Sequence, residues 1–181
     1  QFNEKNVTGV IVGSLNMDLV AVGKAIPRPG ETLSGNSFMS IPGGKGANQA
    51  VACAKLGANI RMVGRVGRDN FGADLKNALR SNNVDDSFVF IDENVPSGVA
   101  LISVDGSGEN SILAVYGANF QGLEEQQKAA KEALVGADFV LLQNEVPNPL
   151  NVFVARYARS KDISVFWDPA PVDNNSMELM N

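Results

Sequence analysis

Four short apolar runs, Val10–Val12, Ile60–Val66, Phe139–Leu142 and Ile163–Trp167, constrain the fold of this chain more than any other feature. They are nearly continuous rather than alternating, the pattern of strands covered on both faces, as in the interior of a parallel sheet. Helical periodicity fills the gaps between them. Ala47, Ala50, Val51 and Ala54 fall on one stripe, and Gly57 is placed to end it. Phe71, Leu75, Ala78 and Leu79 repeat the spacing after Asp69, a good N-cap. The polar segment Glu124–Leu134 turns Ala130 and Leu134 inward, and Leu150, Phe153, Val154 and Tyr157 form a stronger stripe. Alternation of strand and helix predicts an α/β fold, Rossmann-like, with a parallel sheet, right-handed crossovers and flanking helices.

Two regions break that rhythm. Gly98–Val104 and Ser111–Tyr116 flank Asp105-Gly-Ser-Gly-Glu-Asn110 and read as a hairpin, while residues 19–41 are rich in Gly, Ser and Thr with scattered β-formers. Such pieces do not join a helix-covered parallel sheet. They are expected to form a small antiparallel β lid, from segments of about 19–41 and 97–116, within one domain of which residues 1–181 are the N-terminal part.

Composition removes several kinds of chemistry. With no His among 181 residues, no Ser-His-Asp or Cys-His site and no imidazole-ligated metal can be built from this chain. Lone Cys53 cannot make an internal disulfide, and a chain of this length buries a core of its own without one. Fifteen Lys and Arg against 20 Asp and Glu give a net charge of −5, which argues against a nucleic-acid surface. No stretch is long and apolar enough for a membrane span, and Gln1-Phe-Asn-Glu-Lys5 is not an export signal, so a cytoplasmic protein is expected. Asn174–Asn181 reads as the first turn of a helix that stops without a termination signal, the pattern of a shortened chain.

Three segments can carry chemistry. Gly13-Ser-Leu-Asn-Met-Asp18 follows the first strand, where ligands of open α/β sheets bind. There Asn16 and Asp18 combine donors and acceptors suited to neighbouring hydroxyls, or else form a simple turn with Asx caps. Pro42-Gly-Gly-Lys-Gly-Ala-Asn-Gln49 opens a helix whose free amides and Lys45 should collect oxygens. It is not a Walker A loop, because Met39 stands where Gly is needed and Gly46 where Ser or Thr is, and Gln49 breaks the dinucleotide pattern. Glu145, at the tip of another strand, either serves the same edge or caps the helix after Pro147. Cys53 reads as a small buried filler and Trp167 as core, with Asp168-Pro-Ala-Pro171 a rigid exit from its strand.

Taken in order, Asn16-x-Asp18, Pro29-Gly-Glu-Thr32, Gly43-Gly-Lys-Gly-Ala-Asn-Gln-Ala50, Gly64-x-x-Gly-x-Asp69, Gly98-x-Ala100, Gly117-Ala-Asn119, Glu145 and Pro169-Ala-Pro171 resemble the ribokinase-like carbohydrate kinase family, from Val10 to Pro171. The resemblance implies that Asn16, Asp18, Gly43, Gly44, Lys45 and Asn48 hold sugar hydroxyls, that Glu145 closes the site, and that Ala100 and Ile102 cover the sugar from the lid. It implies phosphoryl transfer from ATP with Mg2+ to the 5-hydroxyl of D-ribose, with K+ or a similar monovalent cation as a further cofactor. Adenosine kinases, fructokinases and a non-catalytic sugar-binding or dimerising fragment are the alternatives. By the same resemblance the partners are ribose and a second copy of the chain, paired through the β lid, with no nucleic acid and no membrane. The family's catalytic Asp falls beyond residue 181, as does its nucleotide half, so these 181 residues alone are expected to be inactive. Asn144 and Asp168 depart from the family's usual apolar residue and Asn, beside the sugar or nucleotide by analogy.

Overall fold

The computed structural model describes residues 7–172. The helix start expected at Asn174–Asn181 lies outside them. In chain order the elements are β1 (Thr8–Val12), β2 (Asn16–Val22), β3 (Ser37–Gly43), α1 (Lys45–Lys55), β4 (Asn59–Gly67), α2 (Asn70–Ser81), β5 (Val84–Asp92), β6 (Gly98–Val104) and β7 (Asn110–Val115). A single 3-10 turn at Gly117–Phe120 leads to α3 (Leu123–Ala133), β8 (Phe139–Gln143), α4 (Asn148–Arg159) and β9 (Ser164–Asp168).

All four apolar runs are strands of one parallel sheet, ordered β5-β4-β1-β8-β9. Central β1 explains why its sequence does not alternate in polarity. Val10 and Val12 pack with Ala130, Leu150 and Val154 of α3 and α4, whereas Ile11 packs with Ala50, Leu75 and Leu79 of α1 and α2. Successive side chains point to opposite faces, and both faces are core. Burying one such Val, Ile or Leu stabilises by roughly 1.5–3 kcal/mol.

Helix boundaries follow local chemistry. Asp69 caps α2, its carboxylate accepting from the Gly72 amide at 2.7 Å, and Gly57 takes φ 94° just past α1. Pro149 stands in the first turn of α4, where its missing N–H removes no helical bond. The edge strand β5 has no counterpart among the apolar runs. Its sequence, Val84-Asp-Asp-Ser-Phe-Val-Phe-Ile-Asp92, mixes buried with exposed positions because a single neighbour, β4, pairs with it.

The lid is a second sheet ordered β3-β2-β6-β7. The hairpin across Asp105–Asn110 forms, and β2–β3 and β6–β7 are antiparallel, but the central pair β2–β6 is parallel, so the sheet is mixed rather than antiparallel throughout. Both central strands continue, after short connections, from parallel strands of the main sheet, β1 and β5, and leave it in the same sense. The lid also begins three residues before position 19, which puts Asn16 and Asp18 on its first strand rather than in a turn. Met17, on the opposite face of β2, is 1% exposed and anchors the lid in the α1–α2 core.

Candidate functional site

The ends of β1 and β8 open onto the start of α1, and Glu145 sits where they meet. Its Oε2 accepts from Ser14 Oγ at 2.5 Å, from the Lys45 backbone amide at 3.2 Å and from Asn16 Nδ2 at 3.4 Å. Ser14 Oγ in turn accepts from the Gly46 amide at 3.4 Å. The carboxylate therefore satisfies the N-terminus of a helix one hundred residues away in sequence, where a negative charge is favoured by the helix dipole. It does not cap the helix after Pro147, since α4 starts without a side-chain cap. Oε1 of Glu145 accepts no hydrogen bond among the described residues.

Gly44 makes this approach feasible. Its φ of 93° suits glycine, and a Cβ there would lie 2.7 Å from the Asn16 amide nitrogen and 2.9 Å from the Ser14 carbonyl oxygen. Residues 43–46 can thus be laid directly against the β1–β2 connection.

Along β2, Asn16, Asp18 and Val20 share one face. Register places Gly98, Ala100 and Ile102 of β6 beside them on one side and Gly43, Ile41 and Met39 of β3 on the other. The Asp18 carboxylate lies over Gly43, in space that any side chain there would fill. Burial, and behind it the charge of Glu145, push the Asp18 carboxyl above its ordinary value. No donor among the described residues offsets that cost. Ala100 is buried next to Asp18, and half-buried Ile102 follows it outward. Lys45 is half-buried, and its ammonium makes no ion pair among the described residues; Asn48 is exposed one turn further along α1. Thus Asn16, Asp18, Gly43, Gly44, Lys45, Ala100 and Glu145 gather on one rim, with Ile102 and Asn48 at its margins.

Sequence reasoning passed over three contributors. Ser14 is fully buried and holds Glu145. Asn119, 1% exposed, bonds Leu15 and Asn16. Tyr116 has its phenol pushed up by burial and then by the Glu145 charge. A buried Ser flanked by Gly and Leu in a loop is a legible signal; Asn119 depends on contacts across about a hundred residues, and Tyr116 on burial and on Glu145 in a separate segment. Asn144 plays a different part from the one its position suggests. Its Oδ1 accepts from Trp167 Nε1 at 2.9 Å and its Nδ2 donates to the Pro171 carbonyl at 2.8 Å, fastening the β8 loop to the exit from β9. Asp168 receives the Gln49 amide at 3.4 Å, and Gln49 Oε1 receives Gln143 Nε2 at 2.7 Å. Trp167 is half-buried against the α3–α4 core, and half-buried Cys53 packs on the α1–α2 core.

Two carboxylates, an amide and backbone N–H groups on a partly desolvated rim suit an uncharged ligand with several hydroxyls, because each hydroxyl both accepts and donates. Among the described residues no group of three or more His, Cys, Asp or Glu could hold a metal ion.

Comparison with known proteins agrees with that chemistry. Residues 8–181 match the model of the pfkB family carbohydrate kinases. The chain is 42% identical over 161 residues to the ribokinase of Bacillus subtilis, covering 89% of this chain and 55% of that protein. The structure of ribokinase from Giardia lamblia matches with a TM-score of 0.87 at 30% identity, over 97% of this chain and 55% of that one. The structure of Arabidopsis thaliana ribokinase complexed with ribose and ATP matches with a TM-score of 0.78 at 31% identity, over 96% and 58%. The chain spans about half the length of the relatives it matches.

Proposed function

Because the chain belongs to the pfkB family of carbohydrate kinases, we propose that it forms the sugar-binding half of a ribokinase, which transfers a phosphoryl group from Mg2+-ATP to the 5-hydroxyl of D-ribose. The observation that carries this reading is the convergence of Asp18 and Glu145 on one rim beside the amide of Asn16, where among the described residues Asp18 has no donor and Glu145 Oε1 none. Hydrogen bonds to charged groups contribute roughly 1.5–3 kcal/mol each, so two or three of them bind a neutral pentose and reject an epimer whose hydroxyl leaves a carboxylate unpaired. The relatives named ribokinase, and the one whose structure is described as complexed with ribose and ATP, support ribose as the sugar and ATP as the donor.

In this reading the lid covers the sugar through Ala100 and Ile102 and pairs with the lid of a second copy. Apolar side chains exposed on both of its faces support the pairing: Phe38, Leu101 and Leu113 on one, Met39, Ile41 and Ile112 on the other. The general base and the nucleotide site belong to the family's other half, so residues 1–181 bind ribose without turnover.

Calorimetry with D-ribose, D-arabinose, fructose and adenosine, together with a coupled assay containing Mg2+-ATP, tests the proposal. Ribose is expected to bind these 181 residues in preference to the others, with turnover only from the full reading frame that contains them. Preference for adenosine or fructose, or turnover by the 181 residues alone, would overturn the corresponding part.

A further inference from the structure

Asn119 lies in the 3-10 turn that follows the lid hairpin, buried against the β1–β2 connection. Backbone groups of fixed polarity determine how its amide points. The Leu15 N–H donates to Asn119 Oδ1 at 2.9 Å, and the two protons of Nδ2 are shared among three neighbours, two of them the carbonyls of Tyr116 at 2.8 Å and Leu15 at 3.1 Å. Nδ2 has no acceptor capacity, and it also stands 2.9 Å from the Asn16 side chain. The atom of Asn16 that faces it is therefore the oxygen. The Asn16 amino group is left turned toward Glu145 Oε2, at 3.4 Å.

An unrestrained Asn16 could offer either end of its amide to a ligand. We propose that Asn119 is a positioning residue that holds Asn16 Oδ1 turned toward itself, so that Asn16 presents its amino group, a hydrogen-bond donor, to the sugar. The inference rests on the sugar-binding reading above and deepens it. A hydroxyl beside Asn16 must accept through its oxygen and send its proton to a carboxylate, Asp18 or Glu145. Polarity is relayed from the Leu15 amide through Asn119 and Asn16 to the ligand. Gly98, first residue of β6 and the register partner of Asn16, gives independent support: a Cβ there would overlap Asn16 Oδ1 and Asn119 Nδ2 together. The lid strand therefore begins with the one residue that leaves this contact intact.

The test is a double-mutant cycle read by ribose calorimetry, combining Asn119→Asp with Asn16→Ala. Aspartate keeps the bond from Leu15 N–H but cannot donate to Asn16. Asn119→Asp is expected to weaken ribose binding about tenfold when Asn16 is present, and less than about twofold when residue 16 is Ala. An equal loss in both backgrounds, or none in either, overturns the inference and assigns Asn119 to folding alone. A second measurement needs neither variant nor ligand: a scalar coupling across the hydrogen bond from Asn119 Nδ2 to Asn16 Cγ in the unsubstituted chain. Its presence is expected, and an Asn16 amide without it contradicts the relay even if Asn119→Asp does not fold. If the unsubstituted chain binds no ribose, the sugar-binding reading fails, while the coupling still decides the orientation of Asn16.

Discussion

Asp69 and Asp18 are both half-buried carboxylates, and their surroundings are opposite. Asp69 caps α2 through Gly72 and accepts from Ser97 N and Ser97 Oγ, both at 2.8 Å. Burial opposes its ionisation, but the amides of Ser97 and Gly72 and the Ser97 hydroxyl outweigh it and hold the carboxyl below its ordinary value. At Asp18 burial acts together with the Glu145 charge, and no donor among the described residues answers. One carboxylate is completed by its own chain; the other is left incomplete at a rim built from four segments. Such a local deficit is what a ligand with hydroxyl donors would repair, and folding alone gives no reason to keep it.

Substitution at Asp18 should break the comparison most visibly. Asp18→Asn is expected to weaken ribose binding by roughly 10- to 150-fold, the loss of about 1.5–3 kcal/mol, without lowering the melting temperature. Asp69→Ala should do the reverse. Loss of the cap and of both Ser97 bonds should cost about 2–3 kcal/mol in denaturant titration, while ribose affinity stays within about twofold.

The pH dependence of stability sharpens the contrast, because the two groups act with opposite sign. Folded Asp18 holds its proton to higher pH than the unfolded chain does, so stability declines as pH rises from the ordinary 3.8 toward its raised value. Asp18→Asn should remove that decline. Asp69 contributes fully above 3.8, and its contribution is lost as pH falls through the depressed value. Asp69→Asn should remove that acid loss. Thermal melts at closely spaced pH values check both slopes. The smallest effect belongs to Ser14→Ala, which leaves Glu145 Oε2 with the Lys45 amide and Asn16; about 1 kcal/mol of stability and less than tenfold in ribose affinity are expected.

Much of the main sheet can be read from the chain, because β1, β4 and β8 are largely buried and keep local apolar runs, and the edge strand β9 keeps Val165, Phe166 and Trp167 in series although none of its residues is fully buried. Strand β5, at the opposite edge, cannot be found in that way, since its sequence mixes Asp and Ser with Phe and Val and so breaks the apolar run that β9 keeps. The hairpin of the lid is written in Asp105–Asn110, but the parallel β2–β6 pairing joins residues about eighty apart and leaves no local trace. At the site, Asn16, Asp18 and Glu145 stand out as polar residues at strand ends. Gly43 and Gly44 mark a close approach of backbone. The partnership of Glu145 with Ser14, and of Asn119 with Asn16, is set by which loops the sheet order brings together, and spacing along the chain carries no information on it. Asn144 gives the complementary lesson: a polar residue beside Glu145 turns the other way and fastens Trp167.

The most direct test of the central claim is a crystal structure of the chain soaked with D-ribose. The account requires a pentose ring with hydroxyls within hydrogen-bond reach of Asp18, Glu145 Oε1 and Asn16 Nδ2, under Ala100. A ring bound elsewhere, or Asp18 still without a donor at saturating ribose, would contradict it.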